Sequence, residues 1–416
     1  LRAKNSGGRP ATEASVHLFG RTGLIFLLAV LAGAAWLGQT LVVILIGLML
    51  ATAAVSRGWS RLSLNRVGFQ RRLEEDRAFP GEEVGLTVRL ENRKPLPLIW
   101  VEAADEMPQG LAPEGLELSP GERSGRGRLV VCAPLFWYQR ATWRYRLKCR
   151  RRGYYAIGPA RLTSGDVFGL FPRRLTSPQV DHLVVYPRLY DLADLGLPSR
   201  YPLGEARAAS RLFQDPTRTI GLRQYTPEAP FKYIHWKASA RHQSLQVKVF
   251  EPTTTLRVAL FLDADGFAGL AAPSGEVHFE LAVSLIASLA DHLIGQRHPV
   301  GLFTNAASAD RPGSLSLRPG SGPEQLMLIL EALAKLGPSA SQPFVDFLDI
   351  NRADLPWGAT LGLVSAGLSE ALLGRLEGLE RAGFRVVAYQ VGTGPLPPGP
   401  IRCQRVLKPA DLDLGN

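Results

Sequence analysis

From Thr22 to Ser56 the chain carries no charged residue, and this stretch limits what the rest can fold into. As one straight helix it would extend about 50 Å, well past a hydrocarbon core of about 30 Å. The polar break Gly38-Gln39-Thr40 divides it into two apolar runs, Gly23–Leu37 and Leu41–Val55. Each is near the lower length limit for a bilayer span. The expectation is a transmembrane helical hairpin over residues 23–56. A secretory signal peptide has one apolar core and a small-residue cleavage site before mature protein, whereas here a second apolar run follows at once. Arg2, Lys4, Arg9 and Arg21 precede the hairpin; Arg57, Arg61, Arg66, Arg71 and Arg72 follow it. With both flanks basic and the turn neutral, the positive-inside rule puts both ends in the cytoplasm. A multi-pass protein of the cell membrane with cytoplasmic soluble domains is therefore expected.

The chain has 416 residues, more than one ordinary domain, and a formal net charge of +11. That charge suits an anionic partner, either nucleic acid or an acidic lipid leaflet. The arginines are spread along the chain and partly explained by the membrane flanks, so the membrane is the expected partner and nucleic acid is not. The three cysteines, Cys132, Cys149 and Cys403, lack C-x-x-C spacing, which disfavours a disulfide framework or zinc site.

Past Phe79 the texture changes. Residues 83–91 alternate apolar and polar side chains, as a half-buried strand does. Leu98–Ala103, Gly127–Val131, Thr142–Cys149 and the neighbourhood of Arg161-Leu162 read as further strands, separated by turn signals such as Ser119-Pro120-Gly121. Short strands at this spacing predict a β-sandwich domain over 57–188. Residues 189–220, rich in turn formers and arginine, read as a connection. Residues 221–416 alternate apolar strands (256–262, 300–303, 359–364, 384–389) with helices (276–294, 325–335, 369–382), which predicts an α/β domain with a largely parallel sheet. The fold class is thus multi-domain: helical hairpin, β-sandwich, α/β domain.

In parallel sheets ligands bind at the carboxyl ends of strands. Asp263 and Asp265, Thr304 and Ser365 all fall there. Such oxygen donors are the kind magnesium takes; an Asp after an apolar strand also caps or shapes the following loop. Just before this domain, residues 221–241 mix aromatics and cations at close spacing. Tyr225, Trp236 and Arg241 are candidates for a cation–π cluster. His235 has no nucleophile or orienting acid within sequence reach, so a general-base role is not expected.

This segment resembles the bacterial and archaeal family called domain of unknown function 58. Its signature looks like Arg-Glu-Tyr-x-Pro-Gly-Asp-Asp-x-Arg-x-Ile-x-Trp-x-x-Ser-Ala-Arg, and Arg223, Tyr225, Pro227, Ile234, Trp236, Ser239, Ala240 and Arg241 match it without a gap. Arg152-Gly153-Tyr154 and Asp166-x-Phe168-Gly169-Leu170 are similar to a second signature. The acidic turn departs: the family's Gly-Asp-Asp falls on Glu228-Ala229-Pro230 and its next Arg on Lys232. The resemblance implies a von Willebrand factor type A-like (Rossmann-like) fold for the α/β domain. The metal motif of that fold, Asp-x-Ser-x-Ser, is here Asp263-Ala264-Asp265-Gly266-Phe267, with Ser365 where an Asp would stand, which implies a degenerate site. The resemblance also implies work alongside a MoxR-type AAA+ ATPase in assembling or maturing other proteins. The leading expectation is a non-enzymatic membrane-tethered adaptor. The alternative is a metal-dependent hydrolase or phosphoryl-transfer enzyme using Asp263 and Asp265, although no phosphate-cradling loop or nucleophile elbow accompanies them.

Overall fold

The computed structural model describes residues 21–198, 203, 214–226, 231, 234–252, 256–270, 274–355, 358–392 and 394–406, apart from 114 and 124. Arg2, Lys4, Arg9, Pro227, Lys232, the 228–230 turn and the centre of the expected connection, 204–210, lie outside the described residues. The chain divides into two compact units, residues 1–186 and 187–416.

The first unit opens with two apolar helices, α1 (Arg21–Trp36) and α2 (Thr40–Ser63), joined at Gly38, whose φ of 68° suits a residue without a Cβ. Large apolar side chains such as Ile25, Phe26, Ile44, Leu45 and Leu48 remain exposed along both. Helix α2 does not end at Ser56, as the hairpin boundary anticipated; it runs past Arg57 and Arg61 to Ser63. The reason is a stripe of small residues, Ala53, Ser56, Ser60 and Ser63, all buried, which lets the helix backbone come close to the sandwich. Lys94 then donates from Nζ to the carbonyls of Ser63 and Asn65, satisfying groups that a helix end leaves bare.

The sandwich follows. Residues 67–73, 83–92 and 140–148 form one antiparallel sheet, and strands 173–177, 160–164, 98–108, 126–135 and 119–120 form a second in that order. Val84, Leu86, Val88 and Leu90 alternate inward from the first sheet onto Val101, Met107, Leu129 and Leu162 of the second. Counted in the sequence as a membrane-flanking charge, Arg71 is in fact buried. Its guanidinium lies 2.6 Å from Asp105 and 2.7 Å from Asp181, because the alternation of strand 67–73 turns it inward. Arg57, Arg61, Arg66 and Arg72 remain to flank the apolar helices.

In the second unit, a two-stranded ladder of Gln214–Gln224 and Gln246–Pro252 brackets a short helix, α3 (Trp236–His242). The first of these strands begins inside the expected connection, where charged and turn-forming residues hide its pairing potential. Next comes a six-stranded sheet of β1 (Val258–Leu262), β2 (Val300–Thr304), β3 (Leu315–Gly320), β4 (Thr360–Ser365), β5 (Arg385–Val391) and β6 (Arg402–Val406). Its order is 3-2-1-4-5-6, parallel throughout except for β3. This doubly wound order, with an antiparallel edge strand, is the von Willebrand factor type A-like arrangement, and its switch point lies between β1 and β4. Helices α4 (Ser274–Gly295), α5 (Pro323–Lys335), α6 (Phe344–Asn351) and α7 (Glu370–Arg381) connect the strands. Helix α4 is long and apolar enough to cross a membrane, but 72% of its apolar stretch is buried against 17% for α2. That contrast makes α4 a core helix.

Candidate functional site

Two places hold the residues singled out in the sequence, the carboxyl ends of β1, β2 and β4, and the segment around α3.

At the strand ends, Asp263 is buried and its carboxylate is saturated with donors. Ser365 Oγ donates to Oδ2 at 2.8 Å, the backbone N–H of Asp265 donates to Oδ1 at 3.0 Å, and the N–H of Gly266 also reaches it. Burial nonetheless pushes the carboxyl up to about 6, with the charge of Asp265 adding to the rise and the hydrogen bonds opposing it. Asp265 turns the other way: Oδ2 accepts the first N–H of α6, from Phe344, at 2.6 Å. That bond holds the α6 N-terminus near the switch point and places a carboxylate where the helix dipole favours one. The Thr304 hydroxyl is committed to backbone, donating to Leu262 O and accepting from Ala306 N, both at 3.0 Å.

Of the four predicted donors, then, only the side chains of Asp263 and Ser365 hydrogen-bond each other. Among the described residues no three His, Cys, Asp or Glu side chains are grouped to hold a metal. The residues do not fit magnesium, which wants a near-octahedral shell of oxygens. The Thr304 hydroxyl and Asp265 Oδ2 are already engaged with backbone, and Phe267 at the remaining motif position is buried hydrocarbon. The arrangement is a latch that ties three strand ends together. Sequence reasoning missed one member, Asn305. It is fully buried, accepts from Ala264 N at 2.9 Å and donates to Gln342 O at 2.9 Å. An amide directly after an apolar strand and beside Thr304 was the available signal.

Around α3, the matching residues divide into an inward and an outward set. Ile234 and Val247 are buried against each other and Tyr225 packs on them. Tyr225 N donates to Leu245 O at 2.7 Å. Ser239 is buried, its hydroxyl accepting from Gln246 N at 2.8 Å and donating to His235 O at 3.1 Å, so it locks α3 to the ladder. His235 caps α3, its Nδ1 accepting from Ala238 N at 3.1 Å. That structural task accounts for a histidine here without catalysis.

Arg223, Trp236, Ala240 and Arg241 are exposed, with Trp236 at 68% and neighbouring Phe231 at 71%. The expected cation–π cluster does not form. Tyr225 pairs with Phe231, ring centroids 5.5 Å apart, because its position in the ladder turns it to the inner side. Trp236 and Arg241 are left on the outside.

No family model matches the chain. The chain is similar to YeaD of Bacillus subtilis. That relative, described as an uncharacterized protein, is 29% identical over 234 residues, 56% of this chain and 54% of the relative. The chain therefore spans about half the length of the curated relative it matches. Among solved structures, the CARDB domain of the PF1109 protein from Pyrococcus furiosus is 8% identical, covering 29% of this chain and 91% of that one, with a TM-score of 0.20. Native alpha-2-macroglobulin from Escherichia coli is 19% identical over 30% of this chain and 24% of that one, with a TM-score of 0.23.

Proposed function

We propose that this chain is a membrane-anchored adaptor that holds a protein partner through the outward residues around α3. The observation that carries the reading is that Trp236 and Phe231, two large aromatics, stand exposed on a segment whose frame is locked, alongside Arg223 and Arg241. Tryptophan and arginine are the residue types that dominate binding energy at protein interfaces. A ladder and helix tied by Ser239 and His235 would present them at little entropic cost. The apolar pair α1 and α2 supplies the anchor, spanning the bilayer with both ends on the cytoplasmic side. Resemblance to the domain of unknown function 58 family names the partner class: a MoxR-type AAA+ ATPase, with the pair acting in assembly or maturation of other proteins. The latched state of Asp263 supports a binding role over metal-dependent hydrolysis at that end of the sheet.

The test is co-purification of the full chain from detergent extracts of its own cells. The parent should carry an AAA+ ATPase, and Trp236→Ala with Arg241→Ala should lose it by at least tenfold, as two interface hot spots of about 2 kcal/mol each would. Equal recovery by parent and variant would remove the assignment of the surface. Recovery of no ATPase by either would remove the partner.

A further inference from the structure

One end of the β-sandwich collects every strand end that neighbours α2. The registers Val67↔Asn92, Leu90↔Ala141, Leu98↔Leu135, Val101↔Ser164 and Arg173↔Ser164 place the turns 64–66, 92–97, 136–139 and 165–172 together there. Helix α2 enters at this end: Ser60 Oγ donates to Phe171 O, and Arg173 donates to Arg61 O at 2.5 Å. Two of the turns carry exposed apolar tips. Phe136, Trp137 and Tyr138 form one, with Trp137 67% exposed, and Val167 and Phe168 the other, with Phe168 66% exposed. A soluble domain gains nothing from aromatics so displayed.

The Val167–Phe168 turn is built to project. The Asp166 carboxylate accepts the N–H groups of Phe168 at 3.1 Å and Phe171 at 2.8 Å, Trp100 Nε1 donates to Asp166 O at 3.2 Å, and Gly169 turns the chain back with φ 69°. Between this turn and α2 lies an open, mostly apolar groove of about 320 Å³, lined by Ala51, Val55, Trp59, Val167 and Phe168 together with Thr52, Ser56 and Asp166, whose carboxylate is taken up by the two N–H groups just named. Trp59 Nε1 is buried and without a hydrogen-bond partner among the described residues. Arg57, whose guanidinium lies 5.5 Å from the Phe171 ring centre, and the exposed Arg61 and Arg173 follow just beyond it.

Along α2 the groove therefore straddles the point where uncharged helix gives way to arginine. We infer that it binds an anionic phospholipid, one acyl chain lying between Val55 and Phe168, with the headgroup phosphate on Arg57, Arg61 and Arg173. Trp59, half-buried on the same wall, sits at the depth where tryptophans gather in membrane proteins. The two aromatic turns dip about 5–10 Å into the same boundary layer and set the sandwich upright on the lipid. The inference rests on α1 and α2 being a membrane anchor, as proposed above.

The full chain in nanodiscs of mixed phosphatidylcholine and phosphatidylglycerol tests it. Cys132→Ser and Cys403→Ser clear the reactive thiols, and an environment-sensitive fluorophore is placed on Val167→Cys or, separately, on Leu45→Cys. Quenching is read with nitroxide-bearing phosphatidylglycerol or phosphatidylcholine at equal dose. The Val167 probe should be quenched more by the glycerol lipid, on the order of fivefold in the dose required. Ala51→Trp, which fills the groove from an exposed position, and Arg57→Gln with Arg61→Gln should each abolish that preference. Quenching at Leu45 with none at Val167, or quenching at Val167 with no preference for the anionic lipid, would overturn the site while leaving the anchor standing. A preference that survives both sets of substitutions would also overturn it. Absence of quenching at both positions would remove the anchor itself, and the site with it.

Discussion

Asp263→Asn should stabilise the second unit, and by an amount that grows with pH. The carboxyl titrates at about 6 in the folded chain because it is buried beside a second carboxylate, against 3.8 as its ordinary value. A raised acid costs stability once ionised. Well below pH 3.8 the group is protonated folded or unfolded and nothing is lost; the cost accumulates as pH rises from 3.8 to about 6, then stays constant. At about 1.36 kcal/mol per pH unit the cost is about 3 kcal/mol at pH 8 and about 1 kcal/mol at pH 4.5. Asparagine keeps the geometry: its oxygen can accept from Asp265 N, and its amide can donate to Ser365 Oγ, whose one proton then turns to Gly367 O, 2.7 Å away. Urea titration with pulse proteolysis of the full chain in detergent, following the C-terminal fragment, reads the difference. The variant should gain about 2 kcal/mol more at pH 8 than at pH 4.5. A difference of the same size at both pH values, or a loss that grows with pH, would refute the reasoning.

Other outcomes follow from contacts already described. Arg71→Met strands Asp105 uncompensated in the sandwich core and should cost about 3–5 kcal/mol, seen as a lower thermal midpoint of the first unit. Ser60→Leu overpacks the buried stripe where α2 meets the sandwich and should cost about 1–3 kcal/mol, whereas Ser63→Ala, whose hydroxyl only bonds back to Ser60 O, should be nearly silent in the same melt. His235→Ala removes the α3 cap at about 1 kcal/mol, and His235→Asn should restore it, both measured by hydrogen exchange of residues 236–242. Millimolar magnesium should leave the urea midpoint of the parent unchanged; a rise would mean that Asp263 and Asp265 reorganise around the ion.

Much of the fold was legible because the informative residues are apolar and periodic. The runs at Leu260, Leu302 and Leu363 are buried on both sides and read as central parallel strands, and residues 83–91 alternate cleanly. What escaped was peripheral. Strand β3 pairs on one side only, and none of its residues is fully buried, with Ser316 and Arg318 exposed, so its pattern is weak. Residues 402–406 are mostly polar for the same reason. At the candidate site the sequence located Asp263, Asp265, Thr304 and Ser365 correctly at strand ends, but linear spacing says nothing about which way a side chain turns. Asp265 and Thr304 were lost to backbone donors and acceptors that belong to other parts of the chain. Tyr225 and Trp236 illustrate the same limit, since the end of the ladder and the start of α3 decide which aromatic faces inward.

Helix α2 has a consequence of its own. Its 24 residues, about 36 Å, run without a break from the apolar stretch into the small-residue seam, so no hinge separates that stretch from the domain. Bilayers of different thickness tilt such helices by differing amounts, and a lean of about 10° swings one end past the other by about 6 Å. With α1 and α2 in a bilayer as proposed, the sandwich would lean along with the helix, making its attitude above the surface a readout of how thick the surrounding lipid is.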